Sequence, residues 1–308
     1  MTMEPAIQIQ AMSCRFGKVE AVRNLTLEVP TGSIYAFLGT NGAGKTTTIK
    51  ALLNLIKPSS GTARVLGVDC ARLGPRELAR IGYVSENQEL PGQLTVRQLL
   101  DYCRALYPTW DETLCRGLAK KFALPFDQPL KTFSRGMKIK AALLTSLAYR
   151  PELLFMDEPF SGLDPLVRDD LVQGMLELSE QEKWTVFISS HDIDEVERIA
   201  DHVGVIDNGI LVLSESSENL RMRFRRVDAI LEQGASPAAE LFQNGLLLEA
   251  YGSTLRWIEN HYINDEELGS RIKVWLPSCR AWTATPLTLR ETFIALTRAQ
   301  RAAFPPSL

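Results

Sequence analysis

The sequence predicts an α/β fold built on a parallel sheet, and three observations predict it. Short apolar runs of strand length alternate with helical patterns, several of the runs end in polar residues, and glycine or proline marks the junctions. In such a sheet, ligands bind beyond the carboxyl ends of the strands.

Taken in order, "AIQIQAM" (6–12) and "AVRNLTLEVPTGSIYAFLG" (21–39) read as strands, with Pro30 and Gly32 marking a turn before the buried run Ile34 to Leu38. From Thr46 the pattern is helical. "RIGYVSE" (80–86) is strand-like and leads into helix formers from Val96 to Leu124, punctuated by Pro108 and closed by Pro125, which reads as a helical insertion. "PELLFMDEP" (151–159) and "WTVFISSHD" (184–192) are two more strands, each followed by a helix candidate. Asn208-Gly209 between two apolar runs predicts a hairpin.

"SESSENL" (214–220) reads as a polar connector, and a second, small domain is expected beyond it. Its strand patterns are "AILEQG" (229–234), "LRWIEN" (255–260) and "RIKVWLP" (271–277), and it closes on an amphipathic helix with Leu289, Phe293 and Leu296 on one face. The basic run "RMRFRR" (221–226) is expected to be a solvated helix face.

The 308 residues are 45% hydrophobic, enough for a large domain and a smaller one. A net charge of -3, from 34 basic and 37 acidic residues, gives no electrostatic reason to expect nucleic acid as a partner. The five cysteines are scattered without C-x-x-C spacing, which predicts neither a disulfide framework nor a zinc site and fits a reducing cytoplasm. No apolar run approaches the roughly 18 residues that span a bilayer, so a membrane role is expected to need a partner chain.

Gly39, Gly44, Lys45 and Thr46 match G-x-x-x-x-G-K-[ST] after a buried strand and at the start of a helix, the context this motif requires. Glycines at 39, 42 and 44 let successive backbone N–H groups turn inward around phosphate oxygens, helped by the positive helix end. Lys45 adds a full charge, and the Thr46 hydroxyl is suited to Mg²⁺. The motif predicts MgATP or MgGTP. Asp157 ends a buried strand where it can orient Mg²⁺, and Glu158 next to it is placed to polarise a water for attack on a γ-phosphate. His191 ends another strand, placed to donate a hydrogen bond to that phosphate.

With "FSRGMKIKAALLTSLAYRPELLFMDEPFSGLDP" (133–165), the chain resembles the nucleotide-binding subunits of ATP-binding cassette (ABC) transporters over about residues 5–215. The run is similar to the family's L-S-G-G-Q signature, followed at the usual distance by the Walker B strand, the catalytic glutamate and an S-G-L-D loop. The resemblance implies a P-loop NTPase cassette at 1–218: a parallel sheet core, an antiparallel β subdomain and a helical subdomain at about 87–150, with a small α+β domain at 219–308. It implies ATP and Mg²⁺ as ligands. Phe16, with Val22 beside it, would stack on adenine, and Gly39, Asn41, Gly42, Ala43, Gly44, Lys45, Thr46 and Thr47 would form the phosphate loop. Ser134, Arg135, Gly136 and Met137 stand at signature positions that would reach the nucleotide of a second subunit, and Asp164 is the acid of the S-G-L-D loop. Lys45, Glu158 and His191 would be catalytic.

The sequence departs from the family pattern twice. It reads "IGYVSE" where the family has "IGYVPQ", putting Glu86 where a glutamine is usual; Glu86 is expected to join Thr46 and Asp157 on Mg²⁺ and to steepen the metal dependence, with Gln88 as the alternative after a local shift. Arg135 replaces the first signature glycine, bringing a cation close to the partner's phosphate or lying along the surface.

The resemblance further implies a head-to-tail dimer, homo- or heterodimeric, that seals ATP between subunits and works on a separately encoded permease at the cytoplasmic face of the inner membrane. "LTVRQLLDYCRALYPTWD" (94–111) resembles exporter-type cassettes linked to drug, peptide-antibiotic or lipid export. The alternatives are a soluble cassette ATPase acting on ribosomes or DNA and an ATP-sensing regulatory module.

Overall fold

The computed structural model describes residues 4–86, 89–182, 184–232 and 245–303. Gln88, the alternative to Glu86, lies outside them. The chain divides into two units, Met1–Ser214 and Glu215–Leu308.

The first unit holds β1 (Ile7–Phe16), β2 (Val19–Val29), β3 (Ile34–Leu38), β4 (Ser60–Val65), β5 (Val68–Asp69), β6 (Ile81–Ser85), β7 (Leu153–Asp157), β8 (Thr185–Ser190), β9 (His202–Asp207) and β10 (Ile210–Ser216), the last running two residues beyond it. They form two sheets, one in the order β2-β1-β4-β5 and one in the order β10-β9-β3-β8-β7-β6. In the second, β6, β7, β8, β3 and β9 are parallel neighbours. β3, β7 and β8 are buried at every position. That is why they read as unbroken apolar runs and not as alternating ones. Parallel register sets Ser85 beside Asp157, Asp157 beside Ser189, and Leu38 beside Ser190, so the polar strand ends arrive together. Phe155 and Phe37 pack on Phe187 at centroid distances of 5.7 and 5.3 Å beneath those ends.

The insertion carries helices at Val96–Leu106, Glu112–Lys121 and Arg135–Leu147. Thr95 opens the first with a reciprocal cap to Gln98, and Pro108 falls in the break before the second, which Asp111 caps. The Tyr107 and Tyr149 rings stack 3.9 Å apart. Asn208 and Gly209 both take positive φ, the geometry of a tight hairpin turn between β9 and β10.

The second unit is an antiparallel sheet of β11 (Arg225–Leu231), β12 (Gly245–Tyr251), β13 (Thr254–Glu259) and β14 (Cys279–Pro286), in the order β12-β13-β11-β14. Its core joins Val227, Ala229 and Trp257 to Leu268, Ile272 and Trp275 of the Asp265–Trp275 helix. Three expectations are corrected here. "RIKVWLP" is the end of that helix: Asn264 caps it, and three acids in its first turn favour the positive helix end. "SESSENL" contains the boundary between the two units but is not a loop, because β10 runs to Ser216 and a capped helix spans Ser217–Arg223. "RMRFRR" is not a solvated face: Arg223 grips Glu215 and the Asn260 carbonyl, both at 2.6 Å, while Arg226 on β11 lies 3.2 Å from Glu291. The closing helix, Leu289–Ala303, buries Leu289, Thr292 and Ala295 and half-buries Phe293 and Leu296.

Candidate nucleotide-binding site

The loop from Gly39 to Gly44 joins the carboxyl end of β3 to the helix Lys45–Leu52. Two glycines are sterically required. A side chain at Gly39 would collide with the Ile206 carbonyl, and Gly44 combines φ +111° with an Ala21 carbonyl 2.5 Å from where a Cβ would stand. The 208–209 hairpin turn supports the loop from behind, the Gly209 N–H donating to the Ala43 carbonyl at 3.0 Å. Asn41 and Gly42 are exposed at its crest, Ala43 is buried, and Thr47 is half-buried.

Lys45 is 5% exposed, and its Nζ donates to the Gly39 and Thr40 carbonyls at 2.7 and 3.2 Å. The same ammonium lies 2.9 Å from Glu158 Oε1. The other oxygen, Oε2, is 2.7 Å from His191 Nδ1 and accepts the His191 backbone N–H at 3.3 Å. Facing an ionised carboxylate, which only accepts, Nδ1 would be the donor of this bond. Glu158 has φ +51°, a strained left-handed conformation held by its N–H bonds to the Ser189 carbonyl and Oγ at 3.2 and 3.0 Å.

Thr46 Oγ1 donates to Asp157 Oδ1 at 3.0 Å, and Ser189 Oγ donates to the same oxygen at 2.7 Å. This hydroxyl and carboxylate fit Mg²⁺, a hard cation that keeps waters and phosphate oxygens as its remaining ligands. Among the described residues no three His, Cys, Asp or Glu side chains form a metal cage of their own. Glu86 reaches this strand end through its backbone, its N–H donating to the Asp157 carbonyl at 2.8 Å. Its carboxylate is turned to Arg135 Nη2 and Ser161 Oγ, which bind Oε1 at 2.8 and 3.0 Å. Burial pushes the Glu86 carboxyl up, but these two hydrogen bonds and the charge of Arg135 outweigh it and hold the group below the usual carboxylate range.

Phe16 is 53% exposed at the end of β1, whereas Val22 is fully buried under Gly44 and offers no surface to a ring. Ser134 is exposed and caps the Arg135–Leu147 helix through the Met137 N–H at 3.3 Å. Gly136 is buried, its α-carbon facing Val167 of the same chain, and Met137 is half-buried. Asp164 is exposed and caps the Pro165–Glu182 helix, accepting the Val167 N–H at 3.0 Å. Ser189 and the Gly209 support were not picked out from sequence. The signal for Ser189 was present in "ISSH", a hydroxyl at the end of a wholly buried strand.

A glycine-bounded loop between a central parallel strand and a helix, with lysine, threonine and a strand-end carboxylate converging on it, defines a P-loop nucleotide-binding protein. Residues 22–161 match the sequence profile of the family described as ABC transporter. The bacitracin transport ATP-binding protein BcrA of Bacillus licheniformis is 34% identical over 238 residues, 73% of this chain and 74% of BcrA. The ABC transporter ATP-binding protein YtrB of Bacillus subtilis (strain 168) is 26% identical over 289 residues, 94% of this chain and 97% of YtrB. A solved structure described as the ATP binding subunit of an ABC transporter superposes with a TM-score of 0.64 at 26% identity, covering 70% of this chain and 92% of that one. The chain belongs to the ATP-binding subunits of ABC transporters.

Proposed function

We propose that this subunit hydrolyses MgATP and that hydrolysis in a head-to-tail dimer drives a separately encoded permease of exporter type. The observation that supports hydrolysis most directly is the relay in which the buried Glu158 lies 2.9 Å from the buried Lys45 and 2.7 Å from the exposed His191. The N–H groups of the 39–47 loop and Lys45 would hold the phosphates, Phe16 the adenine, and Thr46 with Asp157 the Mg²⁺. When bound, that ion offsets the negative charge that builds on the phosphates during transfer. Lys45 cannot serve Glu158 and a γ-phosphate equally. Its shift toward the phosphate would free Glu158 Oε1 to accept a proton from the attacking water, with His191 and the Ser189-held backbone fixing the carboxylate's direction.

Dimerisation is supported by the exposed Ser134 and Asp164 and by Leu166, 80% exposed beside Asp164, an apolar side chain on the face the second subunit would cover. Permease docking is supported by a groove of about 430 Å³ between the core and the helical insertion, lined by Leu55, Leu78, Leu90, Tyr107 and Tyr149 among others. No described helix is long and apolar enough to cross a membrane, so in this reading the subunit works at the cytoplasmic face through its partner. The bacitracin-transport name of one relative supports a peptide antibiotic as cargo.

Co-expression with any multi-span membrane protein that a neighbouring gene encodes, followed by purification in detergent, tests the assignment. A stable complex with MgATPase activity is expected. Sedimentation with ribosomes, or salt-sensitive retention on DNA, would replace it with the ribosome or DNA reading.

A further inference from the structure

Both departures from the family pattern fall on one contact. Glu86 leaves β6, Arg135 opens the signature helix, and Ser161 lies in the loop that follows Glu158; all three meet at Glu86 Oε1, with Arg135 Nη2 at 2.8 Å and Ser161 Oγ at 3.0 Å. The guanidinium also covers Gly162, where a Cβ would stand 3.2 Å from Arg135 Nη1.

An arginine in the first turn of a helix is electrostatically misplaced, because that end already carries partial positive charge. A carboxylate beside it offsets both charges. A neutral glutamine at 86 would forgo the ion pair, and a glycine at 135 would leave Glu86 without its cation. Each substitution therefore makes sense in the presence of the other. With Arg135 and Glu86 41% and 31% exposed, the pair contributes little to global stability. Its consequence is geometric: it joins three segments that converge on the nucleotide.

We propose that Glu86 and Arg135 act as one positioning pair, tying the loop after β6 to the signature helix and to the loop after Glu158. Neither side chain then serves Mg²⁺ or the partner's phosphate directly. Glu89 and Leu90, three and four residues beyond Glu86 in sequence, line the groove at the helical insertion; the pair would carry a displacement of the loop after β6 to the signature helix and to the base-bearing loop together. The consequence for catalysis rests on the hydrolytic reading above.

The test is a double-mutant cycle on the full chain with E86Q, R135Q and the double variant, read in two ways. Backbone hydrogen exchange without nucleotide reports the tie independently of catalysis. E86Q should speed exchange across 134–140 and R135Q across 81–86, each about two- to fivefold, with the double variant no faster than the larger single effect. MgATP turnover should fall by a similar factor in all three, with half-saturating Mg²⁺ unchanged and Arg135→Lys retaining most of the activity. Additive exchange effects, or a local effect at each site alone, would overturn the pair. So would a shift in half-saturating Mg²⁺ confined to E86Q, or a loss of ATP-driven dimerisation confined to R135Q. If the wild-type chain hydrolyses no ATP, the functional proposal fails while the exchange cycle still decides the pairing.

Discussion

Ser189 holds Asp157 through a 2.7 Å hydrogen bond to Oδ1, and its hydroxyl also receives the Glu158 N–H at 3.0 Å. One fully buried side chain therefore orients the carboxylate proposed for Mg²⁺ and fixes the strained backbone of the proposed base. Ser189→Ala should lower MgATP turnover about thirtyfold, the order expected from two lost hydrogen bonds near 1 kcal/mol each. Nucleotide affinity should change less than turnover, and Ser189→Thr should recover activity; steady-state kinetics alongside equilibrium nucleotide binding checks both.

Lys45 and Glu158 are 5% and 7% exposed, so each charge depends on the other. Lys45→Ala should weaken nucleotide binding by at least about tenfold, because a charge-assisted contact to phosphate is lost. It should also destabilise the chain by leaving Glu158 buried without its cation. Adding Glu158→Gln to that variant should restore roughly 1–3 kcal/mol, measured by urea denaturation.

A Cβ on Gly136 would lie 2.6 Å from Val167 Cγ1, which ties the signature helix tightly to the Pro165–Glu182 helix. Gly136→Ala should therefore cost about 1–3 kcal/mol by overpacking, read as a lower denaturation midpoint with an unchanged slope.

Glu86 is held below the usual carboxylate range by Arg135 and Ser161, with His191 adding a weaker pull in the same direction. Its contribution to stability is present above the ordinary carboxylate pKa and fades as pH falls through the lowered folded value. The stability difference between wild type and Glu86→Gln, small because the pair is partly exposed, should therefore be largest near neutrality and shrink toward pH 3, as followed by denaturation at each pH.

The wholly buried strands that position the site were legible because parallel strands covered on both faces leave unbroken apolar runs ending in polar residues. Gly39, Gly44, Lys45, Thr46, Asp157, Glu158 and His191 stood out because their chemistry depends on residue type at fixed local spacing. The Glu86–Arg135 contact was not legible: 49 residues separate the partners, and only the placement of the signature helix beside the end of β6 joins them. Val22, which the resemblance puts beside Phe16, is fully buried under Gly44, and no local sequence pattern reveals that. "RIKVWLP" was misread because a strand-like apolar run also supplies the i, i+3 positions of a helix, and the cap that decides between them lies seven residues upstream at Asn264.

The most direct test of the central claim is Glu158→Gln assayed for MgATP turnover and, in parallel, for ATP-dependent dimer formation by sedimentation. Turnover should fall about 100-fold or more while MgATP binding persists and dimers accumulate. Turnover at the wild-type rate, or loss of nucleotide binding together with the dimer, would contradict the assignment of Glu158 as the base of a two-subunit ATPase.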